Sequence, residues 1–284
     1  MGLVTATAAR DTSSNPFAQI RGYGALVRSG FRRYATYRQA TVAGAATNTV
    51  FGFLRCYVML AVAAGAGGVA AGYRGDQLAT YVWFGQGLLA VVLLWGWSDL
   101  ADRIRTGEVA TDLLRPIHPV ALYLATDLGR AGYATLFRLL PPVLVGLLVF
   151  DFYLPGRPGT WPLFALATLL AVVICFACRF LVNATAYWLL DIRGVTVAWA
   201  LGSSVLGGLY FPLRFLPAPV AAALYLGTPF PSIIQIPLDV LVERDPAPVQ
   251  VGLVGVQAVW AAVLLGACQV VQRRAERRLV IQGG

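Results

Sequence analysis

Lysine is missing from this chain of 284 residues, and all 22 basic side chains are arginine. That absence removes whole chemistries. A phosphate-binding loop of the common kind needs its lysine, and neither a lysine Schiff base nor a kinase lysine is available. The chain therefore does not hydrolyse ATP by the usual route on its own. Charge is scarce as well: 12% of residues are charged, about half of the roughly 25% of a soluble domain. Histidine occurs once, as His118. It sits between Pro116 and Pro119 and reads as an exposed turn residue rather than a pH sensor. The four cysteines (Cys56, Cys175, Cys178, Cys268) all fall in apolar runs. Cys175 and Cys178 form a C-x-x-C with no second ligand pair, so they read as small buried hydrophobes and not as a zinc or redox site.

What is abundant is apolar sequence, 58% of the chain. Several runs reach the roughly 20 residues that a spanning helix needs. They do not alternate in short segments, which excludes a β-barrel. The class is an all-α polytopic membrane protein. Six spans are expected, over about 48–71, 78–97, 120–150, 162–190, 195–211 and 249–271. The third is long and contains Pro141-Pro142, so it tilts, breaks there or extends beyond the membrane. Residues 1–16 are small and polar, carry no apolar signal segment and are expected to be disordered. Residues 17–47 hold a connecting segment. Within it, apolar side chains recur at helical spacing over 17–39, with five arginines from Arg21 to Arg38 on other faces. This is the pattern of a basic amphipathic helix lying in the headgroup plane.

Residues 98–119 interrupt the apolar sequence with seven charges: Asp99, Asp102, Arg103, Arg105, Glu108, Asp112 and Arg115. Ser98 or Asp99 can cap a helix, Gly107 can end it in a left-handed turn, and Pro116 stops a second one. Two short helices are expected. A second unusual stretch, 212–248, is rich in proline, and its apolar pieces at 220–226 and 233–242 are too short to span. They suit a re-entrant or interfacial helical hairpin. A cytoplasmic tail is expected over 272–284. With both termini inside, fourteen arginines fall in cytoplasmic segments and four outside, which satisfies the positive-inside rule. The net charge of +9 then points to an anionic membrane surface and not to nucleic acid.

Arg55, Arg138 and Arg179 lie within expected spans. Charge there is costly and tends to serve function, yet arginines near helix ends snorkel, so substrate contact, partner contact and snorkelling all stay open. Asp127 and Arg130, three apart, can pair. Tyr57, Trp83, Phe84, Trp199 and Tyr210 are candidate aromatics of a pathway for an apolar or amphipathic solute, with ordinary packing as the alternative. Asn183-Ala184-Thr185 matches a glycosylation acceptor, but inside a span it is a chance match.

The motif Ile104-Arg105-Thr106-Gly107-Glu108 with Asp112-Leu113-Leu114-Arg115-Pro116 carries a resemblance. So do Gly208-Leu209-Tyr210-Phe211-Pro212-Leu213, Thr228-Pro229-Phe230, Pro237 and the terminal Gln282-Gly283-Gly284. Over nearly its whole length the chain resembles the membrane-spanning permease subunits of ABC-2 type transporters, in particular bacterial six-helix permeases. The resemblance implies an N-terminal amphipathic connecting helix, coupling helices at 98–119 and an outer helical hairpin. It also implies a separate ATPase subunit carrying ATP and magnesium, a second permease as homodimer or heterodimer, a place in the bacterial inner membrane, and most often export. Contact with the ATPase is then expected at Arg103, Arg105, Glu108, Asp112 and Arg115. The competing readings are an autonomous channel or secondary transporter, for which no internal repeat is visible, and a membrane-embedded lipid enzyme, for which the acidic residues lie almost wholly in loops.

Overall fold

The computed structural model describes residues 16–113, 117–189 and 191–282. The expected disorder of the N-terminus, Arg115, the stop at Pro116 and the terminal glycines lie outside them. Among the described residues, four helices are long and apolar enough to cross a membrane: Arg38–Gly65, Pro119–Val149, Thr160–Tyr187 and Ala247–Arg277.

The first helix, α1 (Pro16–Ala35), packs along α6 (Pro119–Ala134). Small residues make the approach close. A Cβ on Gly30 would overlap the Thr126 carbonyl oxygen, and one on Gly129 would overlap the Val27 carbonyl oxygen. Phe31 meets Tyr133 edge-on at 5.4 Å just beyond this crossing. The basic helix thus has a protein partner on its inward face. It also stops earlier than expected, because α2 (Arg38–Gly65) begins ten residues before the anticipated start of the first span at Asn48.

Between α2 and α3 the chain turns in a small hairpin, in which β1 (Val69–Ala70) pairs antiparallel with β2 (Tyr73–Arg74). Ala71 and Gly72 both have positive φ, 48° and 80°, as a two-residue turn matching strand twist requires. Helix α3 (Gly75–Val92) then runs through the middle of the molecule, with fourteen of its 18 residues buried. It contacts α2, α6, α8 (Thr160–Ala184) and α11 (Gln235–Leu241). Trp83 is fully buried in it and uses space left by Gly52 of α2 and Gly146 of α7 (Leu140–Val149). Trp83 is therefore core packing and not a pathway aromatic. The expected second span continued to Trp97. The helix instead ends at Val92, with Leu93 left-handed at φ 52°.

The long third apolar run neither breaks nor kinks free at its prolines. Helix α6 passes through a π turn at Thr135–Leu139 into α7. Pro141 and Pro142 supply no N–H, and the wider turn just ahead of them accommodates the lost ladder bonds. Helix α9 (Arg193–Leu206) is 14 residues long, roughly 21 Å. Two indoles pin it to the segment after α3: Trp95 Nε1 donates to Ser204 Oγ at 3.0 Å, and Trp199 Nε1 donates to the Leu94 carbonyl at 2.9 Å. The proline-rich stretch forms α10 (Ala218–Gly227) and α11, the two short helices expected there. The last helix, α12 (Ala247–Gln282), spans 36 residues without interruption. The segment expected as a tail after residue 271 is a continuation of that helix, with Arg273, Arg274 and Arg277 exposed.

Candidate functional site: a charged platform and four intramembrane arginines

The platform is built from α4 (Asp99–Thr106) and α5 (Val109–Leu113). Ser98 occupies the N-cap position of α4, but its hydroxyl donates to Asp102 Oδ2 at 2.8 Å and accepts no backbone N–H. The cap comes from another helix. Asn183 Oδ1 accepts the Ala101 N–H at 3.2 Å, and its amide donates to the Trp97 carbonyl at 3.0 Å. Asn183 is 3% exposed, which also disposes of it as a glycan acceptor. Gly107 ends α4 at φ 76°, the left-handed stop its position suggested.

Across that turn Arg103 holds Asp112 in a fork, Nε to Oδ2 at 2.8 Å and Nη2 to Oδ1 at 3.0 Å. Tyr123 of α6 donates to the same Asp112 Oδ2 at 2.7 Å, and Arg103 Nη2 also donates to Thr111 Oγ1 at 3.2 Å. Bidentate guanidinium–carboxylate pairs fix geometry as well as adding energy. Burial would lower the Arg103 pKa, but the Tyr123 phenol, Asp112 and Glu108 push it above the usual arginine value. The Asp112 side chain is 4% exposed, whereas Glu108 is 62% and Arg105 41% exposed. Arg103 and Asp112, both expected at a partner contact, thus bind the platform to itself and to α6. Glu108 and Arg105 are the members left on the surface. Arg105 lies 3.7 Å from Asp191 in the loop before α9. On the other flank Arg33 of α1 bonds Asp99 at 2.8 Å. A cavity of about 430 Å³ between α1, α4 and α6 is lined by Arg33, Asp99, Asp102, Arg103, Asp127 and Arg130, among others. His118 opens α6, its Nδ1 accepting the Val120 N–H at 3.3 Å.

The intramembrane arginines fall into two kinds. Arg130 and Arg179 share Asp127, at 2.7 and 2.8 Å, and all three side chains are 7% exposed or less. Arg130 also donates to the carbonyls of Ala90 (3.0 Å) and Val91 (2.8 Å), and Arg179 to that of Val92 (3.3 Å). These are the last carbonyls of α3, left without intrahelical partners where Leu93 turns away. Two cations at the negative end of a helix suit its dipole, and Asp127 balances the charge. Arg179 also lies 5.4 Å over the Trp97 ring. Arg179 is therefore a buried tie between α3, α6 and α8. The Asp127–Arg130 pair expected from their spacing is formed, and both residues also line the cavity beside the platform.

Arg55 on α2 and Arg138 in the π turn are the other kind. Both are half-buried, and the Nε of each is buried without a hydrogen-bond acceptor. Among the described residues no carboxylate pairs with either. Tyr57 and Tyr210 are exposed, 59% and 48%, on the outer surface of the bundle. Trp199 is half-buried, 6.1 Å from Phe230, and held by its bond to Leu94.

Near the opposite end of α3, on the side carrying the β-hairpin, Asp239 of α11 is 1% exposed. It accepts from Tyr73, Tyr225 and Gln235. Gln235 Oε1 in turn accepts from Tyr81 at 2.7 Å and from the Leu213 N–H at 2.8 Å. Close by, Glu243 receives Tyr153 OH at 2.6 Å, the Arg157 N–H at 2.9 Å, the Gly156 N–H at 3.2 Å and the Thr160 hydroxyl. Burial would raise its pKa, but the Thr160 and Tyr153 hydroxyls and Arg157 outweigh that and hold it down at about 2. Neither group was singled out in the sequence. Asp239 is the one acid inside the apolar piece 233–242, and that was the available signal.

Apolar helices of spanning length around a sealed ionic core, with a charged platform at one end, define a multi-pass α-helical membrane protein. The chain belongs to the ABC-2 family of transporter proteins: the family described as ABC-2 family transporter protein matches residues 48–283. No curated protein matches the chain. The match takes in α2 through α12 apart from the first turns of α2, and so includes the platform and α10–α11; α1 lies ahead of it.

Proposed function

We propose that the chain is the permease subunit of a transporter powered by a separate ATPase, and that it exports an apolar or amphipathic compound as a dimer of permeases. The observation that carries this reading is the platform. A lever must keep its shape under load, and the Arg103–Asp112–Tyr123 cluster makes α4, α5 and the start of α6 one unit. Arg33–Asp99 links α1 to the same unit. Force applied at the exposed Glu108 and Arg105 would pass to α6 through Asp112 and to α8 through Asn183. The absence of lysine supports an outside energy source.

In this reading α3 and α9 complete six spans with α2, α6–α7, α8 and α12. Both termini are cytoplasmic, and α10–α11 form a re-entrant hairpin on the outer side. The arginine bias supports that orientation, as does the joining of α1, the platform and the loop at Asp191 on one side. The second permease would meet the apolar surface of α2 and α9, where Phe51, Leu54, Val58, Val197 and Leu201 are all more than half exposed. The test is to purify the full chain from its native membranes and identify what accompanies it. The reading expects an ATPase subunit; recovery of the chain alone, active in flux without ATP, would contradict it.

A further inference from the structure

Two of the four arginines in the spanning helices have a carboxylate partner, and two have none among the described residues. Arg130 and Arg179 have a carboxylate and three carbonyls between them. Arg55 and Arg138 have no carboxylate among the described residues; each keeps a buried Nε–H without an acceptor, as Arg179 also does, but Arg179 has Asp127 to balance its charge. An unpaired guanidinium at membrane depth is expensive, and Arg55 has little room to snorkel. It lies ten residues from the end of α2 at Gly65, roughly 15 Å along the helix axis. A second copy of this chain cannot supply the missing anion from the facing helices, because α2 and α9 contain no aspartate or glutamate.

The two cations are arranged along one helix. The Arg138 guanidinium lies over Gly44 of α2, where a Cβ would meet its Cζ at 3.1 Å. From the level of Gly44 to Arg55 is roughly 16 Å along the helix axis. Between α1, α2 and the π turn opens a cavity of about 690 Å³ lined mainly by apolar groups such as Phe31, Ala45, Phe137 and Val145; Arg38 is the charged residue in its wall, and Arg138 follows Phe137 in the chain without lining it. Farther along α2, Phe51, Leu54, Tyr57 and Val58 leave an exposed apolar and aromatic surface beside Arg55.

From this we infer that the solute is an amphipathic anion, an apolar body with one acidic head, taken into the cavity beside Arg138 and passed outward with its head to Arg55. The inference rests on the transport reading for direction, but the binding it requires does not. The cavity shelters the body from water while the two guanidiniums offer the head sites at two depths. The site selects by charge, since a cationic amphiphile would meet only like charge there.

The purified full chain in neutral detergent is titrated with three probes of one chain length: dansyl-labelled undecanoic acid, the matching alcohol and the matching trimethylammonium compound. The acid should bind at least about tenfold tighter than the other two, the scale of one charge-assisted hydrogen bond. Arg55→Gln and Arg138→Gln should each remove that preference, and Arg55→Lys should keep most of it. Equal binding of the three probes to the unaltered chain would overturn the inference without any variant. So would an acid preference that survives both glutamine substitutions. Flux of the acid in vesicles containing the ATPase complex tests the other reading separately. Charge-selective binding without ATP-driven flux would contradict transport but leave the site standing. ATP-driven flux with no charge preference would do the reverse.

Discussion

Arg103 and Asp112 grip each other through two hydrogen bonds, at 2.8 and 3.0 Å, across the left-handed turn at Gly107. The pair separates the charges that hold the platform from those that it displays.

Substitutions on the two sides of that division should behave differently. Asp112→Ala leaves Arg103 and Tyr123 without their shared acceptor and should destabilise the protein by about 2 kcal/mol. Glu108→Arg changes an exposed side chain and should move stability by no more than about 0.5 kcal/mol, yet lower ATP hydrolysis in the assembled complex. Thermal unfolding in detergent, set beside the ATPase rate of the complex, checks both. A Glu108→Arg complex with full, transport-coupled hydrolysis would remove Glu108 from the contact.

The Asp127 triad predicts strong non-additivity. Asp127→Asn leaves Arg130 and Arg179 buried with no counter-charge, and should cost about 3–5 kcal/mol. Arg179→Gln alone should cost less, since Asp127 keeps Arg130 and balance is nearer. The double variant Asp127→Asn with Arg179→Gln should be more stable than the sum of the singles implies, a coupling that a double-mutant cycle reads directly. Additive losses would show that the triad is not one unit.

The crossing of α1 on α6 has no slack. A side chain at Gly129 meets the Val27 carbonyl and one at Gly30 meets the Thr126 carbonyl, and backbone cannot rotate away as a side chain can. Gly129→Val should displace α1 and cost about 1–3 kcal/mol or more. Limited proteolysis should then cut within α1 in the variant and spare it in the parent chain.

Glu243 sets an acid limit at the end of the bundle that carries the β-hairpin. Its pKa is about 2 in the fold against an ordinary 4.5. A depressed carboxylate gives stability that is fully present above the unfolded value and is lost as pH falls through the folded one. Melting temperature should therefore decline from about pH 4.5 toward pH 2 more steeply in the parent chain than in Glu243→Gln, which has already lost the bonds. Parallel curves for the two proteins would contradict this role.

Most helices were readable because a spanning helix needs a long apolar run, and α2, α6–α7, α8 and α12 have one. The turn at Gly107 was equally readable, since a left-handed stop favours glycine. The early end of α3 was not. Trp95 and Trp97 look like the interfacial end of a span, and only the arginines of α6 and α8, distant in sequence, make a stop at Val92 tolerable. The cap from Asn183 escaped for the same reason: 82 residues separate it from Ala101, and Ser98 was the local candidate. Among the arginines, sequence marked Arg55, Arg138 and Arg179 alike. Which of them had a carboxylate depended on helix rotation, which no periodicity in one chain shows.

The account turns on the platform receiving force from another polypeptide. The direct test is reconstitution of the purified chain into vesicles with and without an ATPase subunit recovered with it from native membranes, following flux of an amphipathic anion as ATP is added. The account predicts flux only when both subunits and ATP are present, and its loss with Glu108→Arg. Steady flux through the chain alone, indifferent to ATP, would contradict it.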